Sequence, residues 1–76
     1  MRKKYHVTHR SADSKWQGKL EGADRASVIE DTKAEAVAKT CDIARNNQPS
    51  QVIIHYMDAT IEKEYTYGND PYPPKG

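Results

Sequence analysis

The chain has 76 residues, room for one domain and no more, and its lone cysteine, Cys41, excludes an intrachain disulfide. Hydrophobic residues make up 36% and charged ones 30%, with a formal net charge of +1, which argues against a dedicated electrostatic nucleic-acid binder. No apolar run approaches the roughly 20 residues of a bilayer span, and the basic residues 1–7 have no apolar stretch of the signal-peptide kind, so the expected compartment is a bacterial-type cytoplasm where a single thiol stays reduced.

Residues 4–10 alternate, with Tyr5, Val7 and His9 on one side and His6 and Thr8 on the other, the period of a strand. Ser11-Ala12-Asp13-Ser14 is a turn cluster, and residues 15–20 alternate again with Trp16, Gly18 and Leu20 on one face. The two segments predict a hairpin. After a second turn at Glu21-Gly22-Ala23-Asp24, residues 26–29 suggest a brief third strand at an edge.

Thr32-Lys33-Ala34-Glu35 has the pattern of a capping box, in which the threonine hydroxyl and the glutamate carboxylate each satisfy a backbone amide. Glu30 and Asp31 lie at the positive end of the helix dipole. Ala34, Val37, Cys41 and Ala44 then recur at spacings of three and four, predicting an amphipathic helix that stops at Asn46-Asn47 before Pro49. Residues 51–57 are apolar on both faces and read as a central strand. Asp58-Ala59 is a tight turn, awkward for lack of glycine, and residues 60–66 return as a strand with Ile61 and Tyr65 on one face. The expected fold is α+β: a small antiparallel sheet of four to five strands with one helix on one face, in the order β-β-(β)-α-β-β. Residues 1–67 form the domain, and residues 68–76 an extended Pro-rich tail.

The run Ala26-Ser27-Val28-Ile29-Glu30-Asp31-Thr32-Lys33-Ala34-Glu35-Ala36, the strand Val52-Ile53-Ile54-His55 and the ending Tyr65-Thr66-Tyr67-Gly68-Asn69-Asp70-Pro71-Tyr72-Pro73-Pro74-Lys75-Gly76 resemble a family of small bacterial proteins labelled domain of unknown function 2188. The resemblance covers nearly the whole chain and departs at the second hairpin turn, where Asp58-Ala59 stands in place of the family's usual Asp-Gly. It implies a compact single-domain fold and brings no catalytic residues.

The residues themselves offer no catalytic set, no cofactor motif and no metal constellation. Cys41 falls on the apolar helical stripe, where a thiol acts as a small hydrophobe and burial raises its pKa. His6 and His9, three apart on a strand, point to opposite faces, so a metal would need His9 with His55 across strands, without a supporting carboxylate or thiol. Glu62 and Glu64 share a strand face beside Lys63 and read as solvated surface.

One helix cannot cover both faces of such a sheet, so the uncovered face is expected to be polar or to meet a partner. That reading makes the chain a non-enzymatic binding module acting through protein–protein contacts, a homodimer among them. Ile53, His55, Met57, Tyr67 and Tyr72 are its contact residues. Charge favours a rival: residues 1–25 hold seven Lys/Arg against three acids, and Arg2, Lys3, Lys4, Arg10, Lys15 and Lys19 could follow a nucleic-acid backbone. Trp16 and Tyr5 would then stack on bases, unless they anchor the core. A phage- or prophage-type inhibitor of a host complex is a third reading compatible with the size.

Overall fold

A computed structural model describes residues 3–68. Five strands and one helix follow in chain order: β1 (Lys3–Arg10), β2 (Lys15–Leu20), β3 (Val28–Glu30), α1 (Lys33–Arg45), β4 (Ser50–His55) and β5 (Ile61–Tyr67). The strands make one sheet in the order β3-β2-β1-β4-β5. Both expected hairpins form, β1 with β2 and β4 with β5, and β3 is the short edge strand beside β2. The sheet is mostly antiparallel. Its central pair, β1 with β4, runs parallel in the register Tyr5↔Val52 and Val7↔Ile54. A parallel pair needs a long crossover, here supplied by β2, β3 and α1.

Strand alternation sends Tyr5, Val7, Val52 and Ile54 toward α1, and with Val28, Ala36, Cys41 and Ala44 they form the buried core. Trp16, Leu20, Val37, Ile43 and Tyr67 pack around it. Tyr5 is buried and Trp16 is part of the core wall, so both anchor the fold, and neither ring is presented for base stacking.

The helix begins as the capping pattern demands: Thr32 is the N-cap and its hydroxyl oxygen accepts from the Glu35 amide at 3.2 Å. The buried stripe, however, is Ala36, Thr40, Cys41 and Ala44. Ala34 is exposed and Val37 only half-buried, a rotation of the expected stripe. The cause lies on the sheet. Gly18 leaves a gap on β2 into which Thr40 inserts so closely that a Cβ at position 18 would sit 1.9 Å from Thr40 Oγ1. Packing against this notch turns the helix away from its most apolar face. At the far end the Ser50 hydroxyl donates to the Ala44 carbonyl, tying the helix C-terminus to the start of β4.

The expected central strand ends early. β4 stops at His55, and Tyr56 and Met57 lie in the following turn, Met57 being 68% exposed, so Met57 does not share a strand face with Ile53. That turn closes with Ala59 N–H donating to the Tyr56 carbonyl, and Ala59 takes the left-handed conformation at φ 76° where glycine is the usual residue. The Asp58 carboxylate accepts from both the Thr60 amide and hydroxyl, which holds the turn without glycine and lowers the Asp58 pKa. A register shift between Ile54 and His55 leaves Glu62 unpaired, and its carboxylate meets Lys33 at the start of α1, while Glu64 accepts from Gln51. The two glutamates therefore serve different faces.

Candidate functional site

Two surfaces are left accessible by this arrangement. The first is the sheet face opposite α1. Alternation places Lys4, His6, Thr8 and Arg10 of β1 there, with Lys15, Gln17 and Lys19 of β2 beside them, since the register pairs His6↔Lys19, Thr8↔Gln17 and Arg10↔Lys15. β4 contributes Gln51, Ile53 and His55, and β5 contributes Glu64. No described element covers this face. Four of the six basic residues singled out from the sequence, Lys4, Arg10, Lys15 and Lys19, are thus gathered on one plane. Lys3 alternates to the other side, and Arg2 lies outside the described residues.

Arg10 is held by Asp13 at 3.1 Å and Lys15 by Asp31 at 3.0 Å. The Asp31 contact, first as a hydrogen bond and then as an opposite charge, raises the Lys15 pKa. Lys4 and Lys19 make no ion pair among the described residues. A shallow concavity of about 250 Å³ lies between them and the chain's second turn, lined by His6, Thr8, Gln17, Lys19, Leu20, Glu21 and Gly22.

At the centre of the face is a connected polar group. His6 Nε2 lies 2.7 Å from Glu21 Oε1, His6 Nδ1 lies 3.0 Å from His55 Nε2, and His55 Nδ1 lies 3.0 Å from the Ala59 carbonyl. The two rings meet through these nitrogens, with centroids 5.2 Å apart and planes inclined by 30°. The histidine pairing that a metal would have needed, His9 with His55, does not form. His9 sits on the helix side, edge-on to Trp16 at 5.1 Å. It is His6 that reaches His55, because the parallel register sets His6 beside Ile53 and makes His55 its diagonal neighbour. The hydrogen bond from His6 outweighs the opposing cost of burial and, with the nearby charges of His6 and Lys4, holds the Glu21 carboxyl below its usual range. Sequence reading missed His6 and Glu21. The strand face of His6 and the turn position of Glu21 were legible, but the β1–β4 pairing that joins them to His55 was not.

The second surface is a groove of about 550 Å³ between α1 and β5, floored by Ala34, Val37, Ala38, Ile54 and Tyr65 and rimmed by Lys33, Glu62 and Lys63. Of the exposed large hydrophobics, Tyr65 lines this groove and Tyr56 lies beneath Lys33 at its rim, whereas Ile61 pairs with His55 on the open face. Lys33 Nζ lies over the Trp16 and Tyr56 rings at 5.4 and 5.2 Å, closing the groove at one end.

The remaining contact candidates fall in different places. Ile53 is on the open face but only 7% exposed, screened by its polar neighbours. Tyr67 packs on the core instead, under the Arg45 guanidinium at 5.8 Å, and its hydrogen bond with Cys41, then burial, raises its pKa. Tyr72 and the rest of the tail beyond Gly68 lie outside the described residues. Cys41 is buried, and among the described residues no group of three His, Cys, Asp or Glu side chains is arranged to hold a metal. No helix among the described residues is long and apolar enough to cross a membrane.

Comparison with known proteins gives a family and one curated relative. The sequence profile described as "Uncharacterized protein conserved in bacteria", domain of unknown function 2188, matches residues 5–67. The "Uncharacterized protein YdaT" of Bacillus subtilis (strain 168) is 37% identical over 54 residues, which cover 71% of this chain and 35% of that protein. The chain thus spans about a third of the relative's length. No solved structure matches.

Proposed function

We propose that this chain, which belongs to the bacterial family labelled domain of unknown function 2188, is a non-enzymatic binding module whose open sheet face docks an acidic surface on a protein partner. The observation that carries the reading is the collection of Lys4, Arg10, Lys15 and Lys19 around the His6–His55 pair, on a face that no described element covers. A flat, cation-bearing sheet face favours complementary negative charge and disfavours a large apolar partner. Among the described residues Lys4 and Lys19 have no carboxylate partner and can answer it, whereas Arg10 and Lys15 are already paired. The reading places the chain in the cytoplasm, where Cys41 stays a thiol.

The test is capture from a native bacterial lysate, run side by side with wild type and with the Lys4→Glu/Lys19→Glu double variant. A protein retained by wild type, released by salt and lost with the variant supports the proposal. Equal retention by the two chains overturns it. Light scattering decides whether the partner is a second copy: an 8.6 kDa particle at micromolar concentration excludes self-association.

Nucleic acid is the second reading, favoured by the same four cations. It lacks the stacking half of single-strand recognition, because Tyr5 and Trp16 are committed to the core. A gel shift at low salt that responds to Lys4→Glu/Lys19→Glu would move the assignment to nucleic acid.

A further inference from the structure

We propose that Glu21, His6 and His55 hold one shared proton beyond those of a carboxylate and two neutral imidazoles, and that this proton latches the end of β4 to β1. The argument is a count of hydrogens. Three hydrogen bonds run in series, Glu21 to His6, His6 to His55, and His55 to the Ala59 carbonyl. Each needs one hydrogen. The carbonyl can only accept, so His55 Nδ1 must carry a proton. A neutral His55 then accepts at Nε2, and His6 Nδ1 must donate to it. His6 Nε2 faces a carboxylate oxygen, so a proton is needed there too. Two neutral imidazoles bring two hydrogens, and the chain of bonds requires three.

The third hydrogen makes His6 an imidazolium donating in both directions, or equivalently protonates Glu21 against a neutral His6. The depressed pKa of Glu21 favours the first description. The groups facing the cluster are mixed. Lys19 on β2 and Lys4 on β1 oppose added positive charge, while Glu21 in the turn after β2 and Glu64 on β5 favour it; Asp58, in the β4–β5 turn, is engaged by Thr60. β3 presents the uncharged Ile29 on this face, and α1 lies on the other side of the sheet.

The latch joins three segments: β1 through His6, the turn after β2 through Glu21, and the β4–β5 turn through Ala59. It fails in both directions of pH. A second proton puts an N–H on His55 Nε2, so two donors face each other across 3.0 Å and two cationic rings have centroids 5.2 Å apart. Loss of the shared proton leaves two acceptors facing each other at one of the three contacts. The one-proton state is the one in which the turn carrying Tyr56 and Met57 is held to the open face. This property is independent of what binds there.

The experiment is a ring-nitrogen NMR titration of the full chain between about pH 5 and pH 8, with His9, outside the network, as internal reference. At a pH where His9 is neutral, His6 should show two protonated ring nitrogens and His55 the Nδ1–H form. Glu21→Gln should convert His6 to a neutral ring, since the carboxamide N–H can donate to Nε2, and should leave His9 unchanged. The Ala59 amide should shift in step with the histidine rings in wild type. A neutral His6 in wild type, or an imidazolium that survives Glu21→Gln, overturns the proposal. Glu21 is exposed, so the variant should fold, and a His6→Gln chain whose Ala59 amide still titrates as in wild type would also refute the latch.

Discussion

Replacing Gly18 by alanine tests the feature that sets the position of α1. Gly18 is buried on β2, between Val7 of β1 and Val28 of β3, and faces the helix. A Cβ there would lie 1.9 Å from Thr40 Oγ1, 3.0 Å from Thr40 Cβ and 3.1 Å from Cγ2. Turning the Thr40 side chain relieves the first contact but not the one to Cβ, so the helix must lift. Forcing a methyl into a packed core costs about 1–3 kcal/mol, against a gain of up to about 1 kcal/mol from replacing glycine in a strand. The net expected loss is about 1–2 kcal/mol, a sizeable part of the roughly 4–11 kcal/mol that a domain of this size has in total. Urea unfolding followed by circular dichroism reads it: with a slope near 1 kcal/mol/M the midpoint falls by about 1–2 M. Thr40→Ala alone should be close to neutral. It removes a methyl, worth about 0.8 kcal/mol, and also a buried hydroxyl that has no partner among the described residues. The double variant should recover part of the Gly18→Ala loss, the part due to Thr40 Oγ1 and Cγ2, while the 3.0 Å contact to the Cβ at position 40 remains. A Gly18→Ala midpoint at or above that of wild type, or a double variant no better than Gly18→Ala, would refute the packing argument.

Ala59→Gly should stabilise the chain by about 1 kcal/mol, because Ala59 holds φ 76° and glycine adopts that conformation without a Cβ clash; the same urea midpoint checks it. Gly68→Ala should destabilise by about 1–3 kcal/mol, since its φ is 117° and a Cβ would meet Pro49 Cα at 2.7 Å. Thr32→Ala should cost about 1 kcal/mol through the lost N-cap, seen as a lower thermal midpoint. The pH dependence of stability has a definite sign. Glu21 and Asp58 are more acidic in the folded chain than their ordinary 4.5 and 3.8, so their contribution is present above those values and is lost as pH falls through the lower folded ones. Lys15 and Lys39 are raised above 10.5, each by a carboxylate partner, so theirs is present below that value and is lost in strong alkali. Urea midpoints measured at acid, neutral and alkaline pH should fall at both extremes.

Local chemistry was legible in the amino-acid sequence. Alternation at residues 4–10 and 15–20 gave the first hairpin, the Thr32–Glu35 pattern gave the helix start, and the small-residue stripe gave a helix that lies close to a sheet. These are nearest-neighbour effects: period, caps and turn residues act within a few positions of chain. The sequence also placed His6 and His9 on opposite sides of their strand, which the structure bears out. What it could not supply was which strand lies beside which. The parallel β1–β4 pair is set by burying Tyr5, Val7, Val52 and Ile54 together under α1 across some 45 residues of chain, and no local signal encodes that register. From it come the His6–His55 contact and the mixed character of the sheet. The notch at Gly18, which rotated the helix so that Thr40 is buried and Ala34 exposed, is likewise a matter of fit between two surfaces. Tertiary structure decided these points because side chains distant in sequence share one volume, and only their mutual packing selects among the arrangements that local preferences allow.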